Sequence, residues 1–91
     1  MSPQHEARRE PRRAAEGSVL VEFRNPAKRE VEGRLVDLSG SGFRMAHASI
    51  ELLPGTVVRF SHSAASGSAR VVWNRIMENR VETGFLILDA G

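Results

Sequence analysis

Apolar and polar residues alternate along much of this chain, and the period is two rather than 3.6. Residues 18–23 are rich in β-branched and aromatic side chains with partial alternation, which predicts a strand. Residues 30–38 alternate more cleanly, with Val31, Gly33 and Leu35 opposite Glu30, Glu32 and Arg34. Val36 and Leu38 then fall on the other parity, which predicts a β-bulge or a strand end buried on both faces. A short strand over 42–46 places Phe43 and Met45 on one side and Arg44 on the other. Further strands are predicted over 56–60, 69–77 and 81–88, and in the second of these Val71 and Trp73 share a face. Turn signals separate them: Asn25-Pro26, the 40–42 segment, Pro54-Gly55 and Glu78-Asn79. Residues 61–68, rich in Ser, Ala and Gly, read as a hairpin loop. No stretch sustains a helical period, and 46–53 has room for at most a turn or two of helix.

Six short strands with closely spaced turns predict an all-β fold, an antiparallel barrel or sandwich. The barrel is favoured because so short a chain would otherwise leave sheet edges exposed. Ninety-one residues suffice for one hydrophobic core and not two. The first 11 residues are polar and contain Pro3 and Pro11, so a flexible arginine-rich arm over 1–13 is expected ahead of a barrel over 14–91. With no cysteine, disulfides and thiolate metal sites are excluded. No apolar run approaches the length of a membrane-spanning helix, and the charged N-terminus lacks the apolar core of a signal peptide. The expected location is therefore cytoplasmic.

The net charge of +2 is too small to imply general nucleic-acid affinity. Its distribution says more, because twelve of the thirteen basic residues are arginine and only Lys28 is lysine. Four arginines crowd into six positions as Arg8-Arg9-Glu10-Pro11-Arg12-Arg13. Their mutual repulsion favours a nearby anion, and the guanidinium fork suits both phosphate and the O6/N7 edge of guanine. A second cluster, Asp37-Leu38-Ser39-Gly40-Ser41-Gly42, offers complementary chemistry. An ionised Asp37 presents acceptors only, which suit the adjacent N–H donors of a guanine Watson–Crick edge. Ser39 can give or take a hydrogen bond, while Gly40 and Gly42 allow positive φ and close backbone approach to a ligand. Taken singly, the first cluster is an ordinary solvated arm and the second an ordinary turn. A ligand bearing both guanines and phosphates would use every part of the pair.

The spacings R-x-x-x-R (Arg8/Arg12 or Arg9/Arg13) and D-x-S-x-x-G (Asp37, Ser39, Gly42), in this order on a chain of this size, resemble the PilZ domain. That family comprises bacterial receptor modules for the second messenger cyclic di-GMP. The resemblance covers nearly the whole chain, since residues 68–73 and 83–86 also look like the family's final hairpin. It implies a six-stranded antiparallel PilZ-like split barrel. Many members continue into a C-terminal helix, and little or no such helix is expected here before Gly91. It further implies that Arg8, Arg9, Arg12, Arg13, Asp37, Ser39, Gly40 and Gly42 bind cyclic di-GMP. The register Arg8/Arg12 fits the family better because Pro11 precedes the second arginine, leaving Arg9 and Arg13 for stacking or phosphate contact.

Arg44 and Trp73 are secondary candidates, each with an ordinary surface or core role as the alternative; base stacking on an aromatic is worth about 1–3 kcal/mol where tested. His5, His47 and His62 lack metal-ligand spacing, and neither a serine-based catalytic set nor a P-loop is discernible, so no enzyme, metal or cofactor is expected. The implied activity is that of a receptor whose N-terminal arm changes conformation on cyclic di-GMP binding and signals to a downstream protein partner. The alternative is a PilZ-type interaction module that works without ligand. A single-stranded nucleic-acid barrel is disfavoured by an aromatic content of 5% and the absence of tyrosine.

Overall fold

The computed structural model describes residues 11–90, which form seven strands and no helix. They are β1 (Arg13–Ala14), β2 (Ser18–Arg24), β3 (Lys28–Leu38), β4 (Gly42–His47), β5 (Val57–His62), β6 (Ala65–Ile76) and β7 (Val81–Ala90). Six close a ring in the order β3-β2-β5-β6-β7-β4, with β4 pairing back to β3. All pairings are antiparallel. The fold is therefore a closed six-stranded antiparallel β-barrel with β1 outside the ring. Among the described residues no helix is long and apolar enough to cross a membrane.

Alternation along the strands decides what faces the interior. Val19, Val21 and Phe23 of β2 point inward, and so do Val58 and Phe60 of β5. Phe43 lies at the centre, fully buried, stacked on Phe85 at 4.6 Å between ring centroids and tilted against Phe60 at 4.9 Å. Leu52, carried by the connection between β4 and β5, is also fully buried. That connection ends in the turn signalled by Pro54-Gly55. The Thr56 N–H donates to the Leu53 carbonyl at 3.1 Å, and Gly55 has φ of 94°, the conformation that the third position of a type II turn requires.

Several expectations need correction. Residues 61–68 are not a loop: β5 runs to His62 and β6 starts at Ala65, with His62 opposite Ala65, leaving a two-residue turn. The small residues there satisfy ladder pairing despite modest intrinsic β-propensity, an override by tertiary context. No helical turn forms over 46–53. The irregularity expected near Val36 is present as a register shift between Leu35 and Asp37 in the β3–β4 ladder. Trp73 does not share a face with Val71, because a second shift falls between them, so that Val71 pairs with Phe85 and Trp73 with Gly84.

A chain of hydrogen bonds pins the β4–β5 connection to the sheet. The Ser49 N–H donates to His47 Nδ1 at 3.0 Å, which leaves the ring proton on Nε2 to donate to Thr83 Oγ1 at 2.6 Å. The Thr83 hydroxyl donates to Asn74 Oδ1 at 2.6 Å, and the Asn74 amide donates to the Leu52 carbonyl. This chain requires a neutral His47, and burial pushes its pKa down; burial does the same to His62. Below about pH 6.5 the unfolded chain takes up protons at these positions that the folded state refuses. Stability is thus expected to fall as the pH drops from 7 towards 5, by at most about 1.4 kcal/mol per pH unit for each histidine. Urea unfolding at several pH values checks this, and His47→Gln should flatten the dependence; an unchanged slope in that variant would rule out His47 as a source.

Candidate functional site

Two of the three register shifts, at Val36 and at Val72, turn a side chain outward. Strict alternation after Leu35, which is buried, would aim Asp37 into the barrel, but the extra residue Val36 reverses the parity. The irregularity at Val72 likewise swings Trp73 to the outside, opposite Gly84 rather than Phe85. Cross-strand partners share a face. The pairs Ala14↔Asp37, Asp37↔Arg44, Arg44↔Gly84 and Gly84↔Trp73 therefore draw one row across the outer surface, from β1 through β3, β4 and β7 to β6.

Asp37 is the centre of the row. Its residue is only 5% exposed because two guanidiniums cover it. Oδ1 accepts from Nε–H (3.2 Å) and Nη2–H (2.9 Å) of Arg12. Oδ2 accepts from Nε–H (2.8 Å) and Nη2–H of Arg44. Arg44 first, and Arg12 after it, hold the carboxyl below the usual carboxylate range, against the opposing effect of burial. Asp37 in turn raises the Arg44 pKa. Arg12 reaches further and donates from Nη1 to Ser39 Oγ at 3.3 Å. Ser39 sits on the β3–β4 turn, which is closed by its backbone N–H donating to the Gly42 carbonyl at 2.9 Å.

Beside these groups lies an open groove of about 340 Å³, lined by Arg12, Ser41, Gly42, Arg44, Trp73 and Gly84 among others. Two glycines in its lining make room for a neighbouring group. Gly84 has no side chain because the Trp73 indole lies on it, and a Cβ there would collide with the ring. Gly42 has none because the Phe85 carbonyl of β7 occupies that space. The freedom to adopt positive φ, expected of Gly40 and Gly42, is not used at either position. Close strand approach is what requires Gly42. The Arg75 guanidinium also lies near Trp73, 5.9 Å from the ring centroid.

The structure thus brings together Arg12, Asp37, Ser39, Gly42, Arg44 and Trp73. Arg13 goes elsewhere: alternation turns it away from Arg12 to a second hollow, which it lines with Leu38, Ser39, Gly40, His62 and Ile87. Arg8 and Arg9, and most of the proposed arm, lie outside the described residues, and the boundary drawn between 13 and 14 falls within β1. Sequence reasoning missed Ser41 and Gly84. The signal for Gly84 was present, since a glycine inside a strand marks a close approach. Two guanidiniums, an indole and a serine hydroxyl can together take a planar base and an anionic group. No protein-family model matches the sequence, and no curated protein matches it.

Proposed function

We propose that this protein is a cyclic di-GMP receptor of the PilZ type, a bacterial cytoplasmic module that signals to a protein partner rather than catalysing a reaction. The observation that carries the reading is the convergence of Arg12 and Arg44 on one carboxylate, Asp37, with Arg12 also donating to Ser39, beside a groove walled by Trp73. Each component has a counterpart in the ligand. The Arg12 guanidinium matches phosphate oxygens and the O6/N7 edge of guanine. Asp37 matches the N1–H and N2–H donors of the base, and the indole can stack on it. In this reading Arg8 and Arg9 add further guanidinium contacts from the segment preceding Pro11.

Calorimetric titration of cyclic di-GMP into the protein tests the proposal. Micromolar or tighter binding is expected, with the fitted stoichiometry distinguishing one bound ligand from two. Arg12→Ala should weaken binding at least tenfold, because it removes a phosphate or base contact and also one of the two groups placing Asp37. Absence of binding to the wild-type protein, confirmed by an independent method, would rule out the receptor reading in favour of a ligand-independent interaction module. A single-stranded oligonucleotide titrated in parallel should show no binding of comparable strength.

A further inference from the structure

Asp37 cannot meet a guanine while the site stays as it is. Both of its oxygens are filled, each by two N–H groups of one guanidinium. The fork that Arg44 presents, two roughly parallel N–H donors, is the same donor pattern as the N1–H/N2–H edge of guanine. The arginine and the base are therefore competitors for one acceptor. Of the two arginines, Arg12 has a second acceptor, because Ser39 also accepts from it. The Arg44 side chain makes no hydrogen bond to any described residue other than Asp37.

Arg44 also has somewhere to go. Gly84 lies directly opposite it and Glu82 opposite Ala46, so Glu82 is its diagonal neighbour on β7. Such neighbours are about 7–8 Å apart at the backbone, within reach of an arginine. Glu82 is buried, its Oε2 accepts from Arg80 at 2.6 Å, and its Oε1 accepts from no described residue. The Glu82 charge already acts on Arg44 favourably.

We propose that Arg44 is a displaceable latch on Asp37: in the free protein its guanidinium occupies the acceptor that a guanine edge takes on binding, and Glu82 receives it on release. This rests on the reading of the site as a cyclic di-GMP receptor. Part of the intrinsic affinity for ligand is spent in opening the latch, and the selectivity for guanine follows from it. Only a base offering a fork equivalent to that of Arg44 replaces what is lost, whereas adenine, with a single exocyclic donor beside an acceptor nitrogen, does not.

The latch is read directly from the arginine Nε–H signals of the 15N-labelled wild-type protein, the Arg44 signal being assigned by its absence from Arg44→Lys. On saturation with cyclic di-GMP the Arg44 Nε–H is expected to shift and to exchange faster with solvent. If the Trp73 indole N–H reports saturation while the Arg44 signal stays unchanged, the latch is overturned and the receptor reading stands. If cyclic di-GMP leaves every signal unchanged, both fail. Affinity gives a second readout. Arg44→Lys keeps the positive charge but not the fork, so it competes less well. A partly exposed pair of this kind contributes up to about 1 kcal/mol, equivalent to about fivefold. Binding to Arg44→Lys should therefore be about three- to fivefold tighter than to wild type, and equal or weaker binding would overturn the proposal.

Discussion

Replacing Asp37 with alanine is expected to weaken cyclic di-GMP binding by about a hundredfold, the largest effect of any single substitution in the site. The carboxylate has two jobs there. It offers the acceptors for the guanine edge, and it holds Arg12 in place while no ligand is bound. Truncating one partner of a hydrogen-bonded charge set costs roughly 2–5 kcal/mol in binding, and about 2.8 kcal/mol corresponds to a hundredfold. The same variant should be less stable, because Arg12 and Arg44 would face each other without a counter-charge. Their side chains are 41% and 32% exposed, so solvent screens that repulsion and the loss is expected to be only about 1–2 kcal/mol. Asp37→Asn separates the two jobs: it keeps the shape, but its amide points donors at guanidinium donors. Calorimetry with urea unfolding measures both quantities. Wild-type affinity in Asp37→Ala would remove the carboxylate from the site altogether.

Gly42→Ala is expected to have the largest effect on the fold. The new Cβ would be driven into the Phe85 carbonyl oxygen, with the Phe85 carbonyl carbon only 3.2 Å away. Both belong to backbone that is paired across the β4–β7 ladder, where Gly42 faces Leu86. Backbone in a closed barrel cannot step aside without spreading the ring. A cost of about 2–4 kcal/mol is expected, at the upper end of overpacking effects. For a domain of this size that lowers the thermal midpoint by about ten degrees or more. Cyclic di-GMP binding should weaken as well, since the opened seam runs through the lining of the groove. The alanine substitution at Gly84 makes a useful contrast, because it meets the Trp73 indole, a side chain that can turn away. A thermal midpoint of Gly42→Ala within a few degrees of wild type would show that the two strands are less closely apposed than described.

Much of this barrel was legible from hydrophobic spacing. The strands around Val21, Leu35, Phe43, Phe60 and Phe85 follow from period-two alternation, and the turn at Pro54-Gly55 follows from residue chemistry alone. The parity break at Val36 was visible as well, because two apolar residues fell on the polar side of the pattern. The break at Val72 was not visible. Val71, Val72 and Trp73 are consecutive apolar residues, so alternation gives no hint of where the register slips. The 61–68 segment was misread for a related reason: Ser, Ala and Gly favour turns locally, and only their partners on β5 and β7 hold them extended.

The chain by itself pointed to a small all-β barrel and to one set of Arg8, Arg9, Arg12, Arg13, Asp37, Ser39, Gly40 and Gly42, of which the structure brings Arg12, Asp37, Ser39 and Gly42 together. Composition, alternation and motif spacing are local properties, and they can be read along one dimension. Tertiary structure alone decided which arginines meet the carboxylate. Arg12 and Arg13 are adjacent in the chain, yet strand alternation sends them to different hollows, while Arg44 joins the site from the neighbouring strand because a bulge turns Asp37 to face it. Trp73 and Gly84 meet through another register shift, more than ten residues apart in sequence. Such pairings depend on how strands align around the ring, which is set by the sum of core packing and not by any single residue along the chain.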